Sequence, residues 1–102
     1  MDFNEYQELA QRTSVTISEG EKLENGILGL FGEVGEVSEH LKKHWYHGRG
    51  IDSHLLMEEL GDVLWYVVEL CEGLEIKLED VATHNISKLM DRWPDGFKKE
   101  NE

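Results

Sequence analysis

Four carboxylates stand out by type and spacing. Glu33 and Glu36 lie three residues apart, and Glu59 and Asp62 repeat that spacing further along the chain. On a helix, residues at i and i+3 share a face, so each pair presents two carboxylates side by side. The 22 residues between the pairs leave room for two antiparallel helices joined by a loop at His47-Gly48-Arg49-Gly50. At an interaxial distance of about 8–10 Å the pairs could converge on one small volume. Four carboxylates in one place repel one another unless protonated or neutralised by a cation. Oxygen-only ligands select hard ions, Mg²⁺ first and Mn²⁺ as a substitute. Glu39 extends the first row by three more residues, and Glu58 competes with Glu59 for the place facing Asp62.

These groups need helices to hold them, and hydrophobic periodicity predicts four, with no sustained strand-type alternation. The first spans 3–13, with Phe3, Tyr6, Leu9, Ala10 and Thr13 on one side, and Ser14 to Gly20 reads as a loop. The second spans 21–44 behind the stripe Ile27, Leu30, Val34, Val37 and Leu41. Asp52 or Ser53 caps the third, 53–72, whose stripe is Leu56, Leu60, Val63, Val67 and Leu70. Gly73 is a natural left-handed stop. The fourth, 78–92, turns Ala82, Ile86, Leu89 and Trp93 inward before Pro94. Residues 98–102 read as a frayed tail. The run from Val63 to Val68 is apolar nearly all round, which four short helices can hardly cover, so Trp65 or Val68 is expected to pack against a second subunit. The expected architecture is an all-α four-helix bundle, a single domain over 1–102, completed by oligomerisation.

The 102 residues carry a net charge of −12, with 39% hydrophobic and 31% charged residues, which is globular and not disordered. Such a surface repels a nucleic-acid polymer, whose binders rely on Lys and Arg. An anionic small substrate remains compatible when a divalent cation bridges it to carboxylates. No apolar run approaches a membrane span, and the first residues lack the layout of a signal peptide. One cysteine, Cys71, supports neither an internal disulfide nor a thiolate cluster. A reducing cytoplasm is the expected setting, with no membrane partner.

The acids have a bland reading as a solvated face, which suffices for a single pair. Two matched pairs, each beside an apolar stripe, argue against it. So do Gly26, Gly29, Gly32 and Gly35, every third residue through the helix that carries Glu33. Each costs about 1 kcal/mol against Ala in a helix interior, which a close approach of backbone to a helix or ligand would explain. Tyr66, one turn beyond Asp62, could stack on a base or simply pack in the core; Trp45 and the first helix are weaker candidates for a base pocket.

The segments Gly29-Leu30-Phe31-Gly32-Glu33-Val34-Gly35-Glu36-Val37 and Glu58-Glu59-Leu60-Gly61-Asp62-Val63-Leu64 resemble the E-x-x-E and E-x-x-D motifs of MazG-like nucleotide pyrophosphohydrolases. Asn85, Lys88 and Arg92, followed by Trp93-Pro94, resemble that family's phosphate-facing N-x-x-K-x-x-x-R ending. The resemblance runs from about residue 20 to residue 94, although all-α dUTP and dCTP hydrolases share its logic. It implies conversion of a nucleoside triphosphate to monophosphate and pyrophosphate, with non-standard nucleotides as suggested targets. It further implies Mg²⁺ on Glu33, Glu36, Glu59 and Asp62, and Glu36 or Glu39 as general base. Lys88 and Arg92 would neutralise phosphate charge beside Asn85, and the assembly would be a homodimer or homotetramer.

Other chemistries fit less well. No histidine follows a Glu by three residues, which excludes a Glu-x-x-His di-iron bundle. His40, His44 and His47 share a stripe but have no carboxylate or cysteine companion to make a Zn²⁺ site. There is no P-loop. The strongest alternative is a non-catalytic helical dimerisation module, which accounts for the apolar third helix but not for two matched carboxylate pairs.

Overall fold

The computed structural model describes residues 1–16 and 18–97; the expectation for the tail 98–102 lies outside them. Four helices follow one another: α1 (Phe3–Gln11), α2 (Glu19–His47), α3 (Ser53–Gly73) and α4 (Leu78–Arg92). The all-α, four-helix expectation holds, and the boundaries shift where side chains cap them. α1 stops two residues early, and beyond it the Thr13 hydroxyl donates back to the Ala10 carbonyl at 2.7 Å. α2 takes in Glu19 and Gly20, expected in the loop, because Ser18 caps it and accepts from the Glu21 amide at 3.1 Å. It runs on to His47 before Gly48 turns left-handed at φ 68°. Asp52 caps α3 through the Leu55 amide.

Gly73 is not the left-handed stop expected of it. It is the last residue of α3, and the positive φ falls on Glu75 at 57°. A Cβ at Gly73 would sit 2.9 Å from the Leu23 side chain and 3.1 Å from the Glu19 carbonyl oxygen. The glycine therefore serves the packing of α3 on the start of α2.

The α2–α3 pair is the frame of the molecule, and α1 packs on α3. Gln7, buried on α1, ties α4 down: its amide donates to the Ile76 carbonyl at 3.2 Å and its oxygen accepts the Leu78 amide at 2.8 Å. The buried apolar core is small, comprising Ala10, Val68, Cys71 and Leu78, with Tyr6, Leu64, Trp65 and Val67 packed against it.

One expectation about burial needs correction. Val68 has no exposure at all, so it is covered within the chain and does not face a partner. Trp65 is half-buried, with its indole N–H donating to the Ala10 carbonyl and the Thr13 hydroxyl of this same chain. Uncovered apolar side chains lie on α2, α3 and α4, among them Ile27, Leu28, Phe31, Val34, Leu60, Ile86, Leu89 and Met90. The stripes read as inward on those helices are thus only partly covered within one chain. Its radius of gyration, 16.6 Å, exceeds the roughly 13 Å of a compact chain of this length.

Candidate metal and nucleotide site

An antiparallel seam between α2 and α3 positions the carboxylates. Asn25 meets Glu69 by a 3.0 Å hydrogen bond. A Cβ at Gly26 would lie 2.8 Å from Leu70, and one at Gly29 would overlap the Tyr66 ring. The advance from Gly26 to Gly29 along α2 goes with a return from Leu70 to Tyr66 along α3, about one turn on each helix. Continued by one turn and then another, this register sets Glu33 opposite Asp62 and Glu36 opposite Glu59. Gly32 and Gly35 have nothing within 4 Å of an added Cβ, so only half of the glycine row serves close approach to α3.

Two clefts flank the carboxylates. Thr13, Glu33, Asp62, Trp65 and Tyr66 line one of about 390 Å³. Glu36, Glu39, His40, Lys43, Leu55 and Glu59 line another of about 260 Å³. Tyr66 thus stands in the same cleft as Glu33 and Asp62, with the Trp65 ring edge-on to it at 5.1 Å.

The electrostatics mark the four acids as one group. Burial pushes the Glu33 carboxyl above its ordinary range, and the charges of Glu36, Asp62 and Glu59 push it further. Glu33 Oε2 and Glu59 Oε2 are both buried and have no hydrogen-bond partner. A carboxylate oxygen can only accept, and burying one without a donor is costly. Among the described residues, no three His, Cys, Asp or Glu side chains gather closely enough to hold an ion as they stand. The donor set of two orphaned oxygens and two neighbouring carboxylates fits a hard divalent cation.

Glu58 is exposed, and its carboxylate lies 3.2 Å from His54 Nε2, one turn earlier on α3. His40 and His44 serve the α2–α3 connection: His40 Nε2 accepts the Asp52 amide at 3.4 Å and His44 Nδ1 lies 2.5 Å from the Arg49 carbonyl oxygen. Trp45 is exposed near the end of α2 and lines neither cleft. Asn85, Lys88 and Arg92 are exposed on α4, which touches α1 and α3 but not α2. The Arg92 guanidinium stacks 5.2 Å from the centre of the Trp93 ring.

Sequence reasoning passed over Glu69 and Thr13. Glu69 lies on α3 seven residues beyond Asp62, fully buried and ringed by donors from distant segments. Only an unexplained charge in an apolar stretch signalled it.

The MazG nucleotide pyrophosphohydrolase domain family matches residues 21–97, well over half of the chain. The chain belongs to the MazG family. Both carboxylate pairs and the α4 ending fall inside the match, whereas α1 and the Thr13 segment fall outside it. The "Gene 37 protein" of Mycobacterium phage L5 is 38% identical over 69 residues, 64% of this chain. That match spans 60% of the phage protein's own length. No solved structure matches. No helix among the described residues is long and apolar enough to cross a membrane.

Proposed function

We propose that this chain is a Mg²⁺-dependent nucleoside triphosphate pyrophosphohydrolase, producing a nucleoside monophosphate and pyrophosphate. The observation that carries this reading is the pair of buried, partnerless carboxylate oxygens, Glu33 Oε2 and Glu59 Oε2, inside the MazG match. Glu33, Glu36, Glu59 and Asp62 would hold the ion, with Mn²⁺ a workable substitute. When bound, Mg²⁺ supplies Lewis-acid polarisation of the phosphate oxygens.

The chain's own side chains do the rest. Glu36 or Glu39, sharing the smaller cleft, takes the proton from the attacking water. Tyr66 offers a ring for the base beside Glu33 and Asp62. Asn85, Lys88 and Arg92 neutralise phosphate charge. Because α4 does not touch α2 within one chain, we assign that contact to a homodimer or homotetramer. The exposed apolar rows on α2 and α4 support such an assembly. Surplus or non-standard nucleotides, handled in the cytoplasm, are the substrate class that the family suggests.

The test is product analysis over a panel of natural and modified triphosphates with Mg²⁺. Monophosphate and pyrophosphate are expected. Diphosphate with orthophosphate would overturn the assignment. The alternative of a non-catalytic dimerisation module predicts no turnover and no thermal stabilisation by added Mg²⁺.

A further inference from the structure

We propose that Glu69 is a positioning residue for the nucleotide site, fastening segment 11–16 onto the α2–α3 seam so that Thr13 and Trp65 wall the cleft beside Glu33 and Asp62. This rests on the pyrophosphohydrolase reading and adds to it a part of the chain that the family match does not include.

The Glu69 side chain is wholly shielded from solvent. Its Oε1 accepts from Gln11 Nε2 at 2.9 Å and from the Ser14 hydroxyl at 2.7 Å. Its Oε2 accepts from the Thr16 hydroxyl at 2.9 Å and from Asn25 Nδ2 at 3.0 Å. Lys22 Nζ stands 3.7 Å from Oε1, and itself reaches Gln11 Oε1 at 2.8 Å and the Thr16 carbonyl at 3.0 Å. A carboxylate has about four lone-pair sites, and here four donors and a cation use them. Glu69 is therefore saturated and can neither ligate an ion nor relay a proton. Three of its four hydrogen-bond donors come from segment 11–16, so what it does is hold that segment.

The held segment reaches the cleft. One turn back along α3 from Glu69, the Trp65 indole N–H donates to the Thr13 hydroxyl at 2.8 Å and to the Ala10 carbonyl at 3.2 Å. Thr13 and Trp65 then line the cleft with Glu33, Asp62 and Tyr66. Glu69, Trp65 and Asp62 thus lie along one side of α3, joining the loop clamp to the carboxylate pair. A buried ion pair is a poor means of gaining stability alone, since apolar residues of similar volume often do as well. Placement of the loop accounts for this one.

Two variants and one spectroscopic measurement test the proposal. Thr13→Val removes the nearer of the two acceptors of the Trp65 indole at an exposed position, where folding should be retained; Glu69→Gln removes the charge that holds the segment. Both should raise KM for the nucleoside triphosphate about tenfold while kcat at saturation stays within about threefold, the pattern of lost substrate positioning. In NMR hydrogen exchange, the Trp65 indole proton should be protected in the parent and exchange rapidly in Glu69→Gln. Unchanged KM in folded Thr13→Val, or a fall in kcat at constant KM, would overturn the proposal. So would an indole proton that stays protected in Glu69→Gln. A parent protein that turns over no triphosphate would instead sink the pyrophosphohydrolase reading, leaving the clamp to be judged by indole exchange.

Discussion

The ring of Tyr66 occupies the space above Gly29 that a Cβ would fill. Glycine at this position is what lets α3 bring Tyr66 down onto α2, one turn away from Glu33 and Asp62. Gly29→Ala should lower stability by about 1–3 kcal/mol through overpacking, despite the better helix propensity of alanine. Gly32→Ala, with open space around it, should gain up to about 1 kcal/mol. Urea denaturation of the two variants checks the contrast. Equal effects would mean that Tyr66 yields its place without cost.

The carboxylate group predicts an inversion between stability and activity. Glu36→Gln and Asp62→Asn each remove a charge that bears on Glu33. Both should abolish Mg²⁺-dependent turnover, a loss of at least about a hundredfold, while the helical circular dichroism spectrum is kept. In the absence of metal their melting temperatures should exceed that of the parent, because repulsion is relieved. Full turnover in both variants would end the four-carboxylate assignment.

Glu69 sets an acid limit on the fold. Burial alone would raise its carboxyl, but hydrogen bonds from Gln11, Asn25, Ser14 and Thr16 outweigh it and hold the value at about 2, below the ordinary 4.5. A folded value below the unfolded one means that the unfolded chain binds more protons in that window. The contribution is therefore complete above about pH 4.5 and is lost as pH falls toward 2. At neutral pH Glu69→Gln should be less stable by about 3 kcal/mol. Denaturant titrations of parent and variant should show that gap closing between pH 5 and pH 2; a gap constant across the range would refute the linkage.

Assembly should follow the exposed apolar rows. Phe31, 82% exposed, lies next to Glu33 and Gly32 on α2. Sedimentation equilibrium at micromolar concentration should give at least a dimer, and Phe31→Asp should shift it toward monomer without loss of helix. Trp65→Glu should act differently, releasing α1 and segment 11–16 before it affects assembly, because its indole bonds are made within the chain. A well-folded parent monomer would remove the proposed route of Lys88 and Arg92 to the phosphates.

Much of this molecule could be read from local pattern. Four helices, the Asp52 cap, the two carboxylate rows and the candidate ion class all follow from spacings within ten residues or so, which helix geometry turns into shared faces. Spacing, however, names a face without saying what lies opposite. Only the packing of α2 on α3 set Glu59 apart from Glu58, burying an oxygen of the first and leaving the second exposed beside His54. The same seam put Gly26 and Gly29 against Leu70 and Tyr66 while leaving Gly32 and Gly35 open. Val68, which looked like an interface residue, is enclosed because α1 folds back across α3. The Glu69 network was least legible of all: its four donors are ordinary polar residues 44 to 58 positions away. Hydrogen bonds over such distances leave no periodic trace along the chain, and their existence is decided by tertiary approach alone.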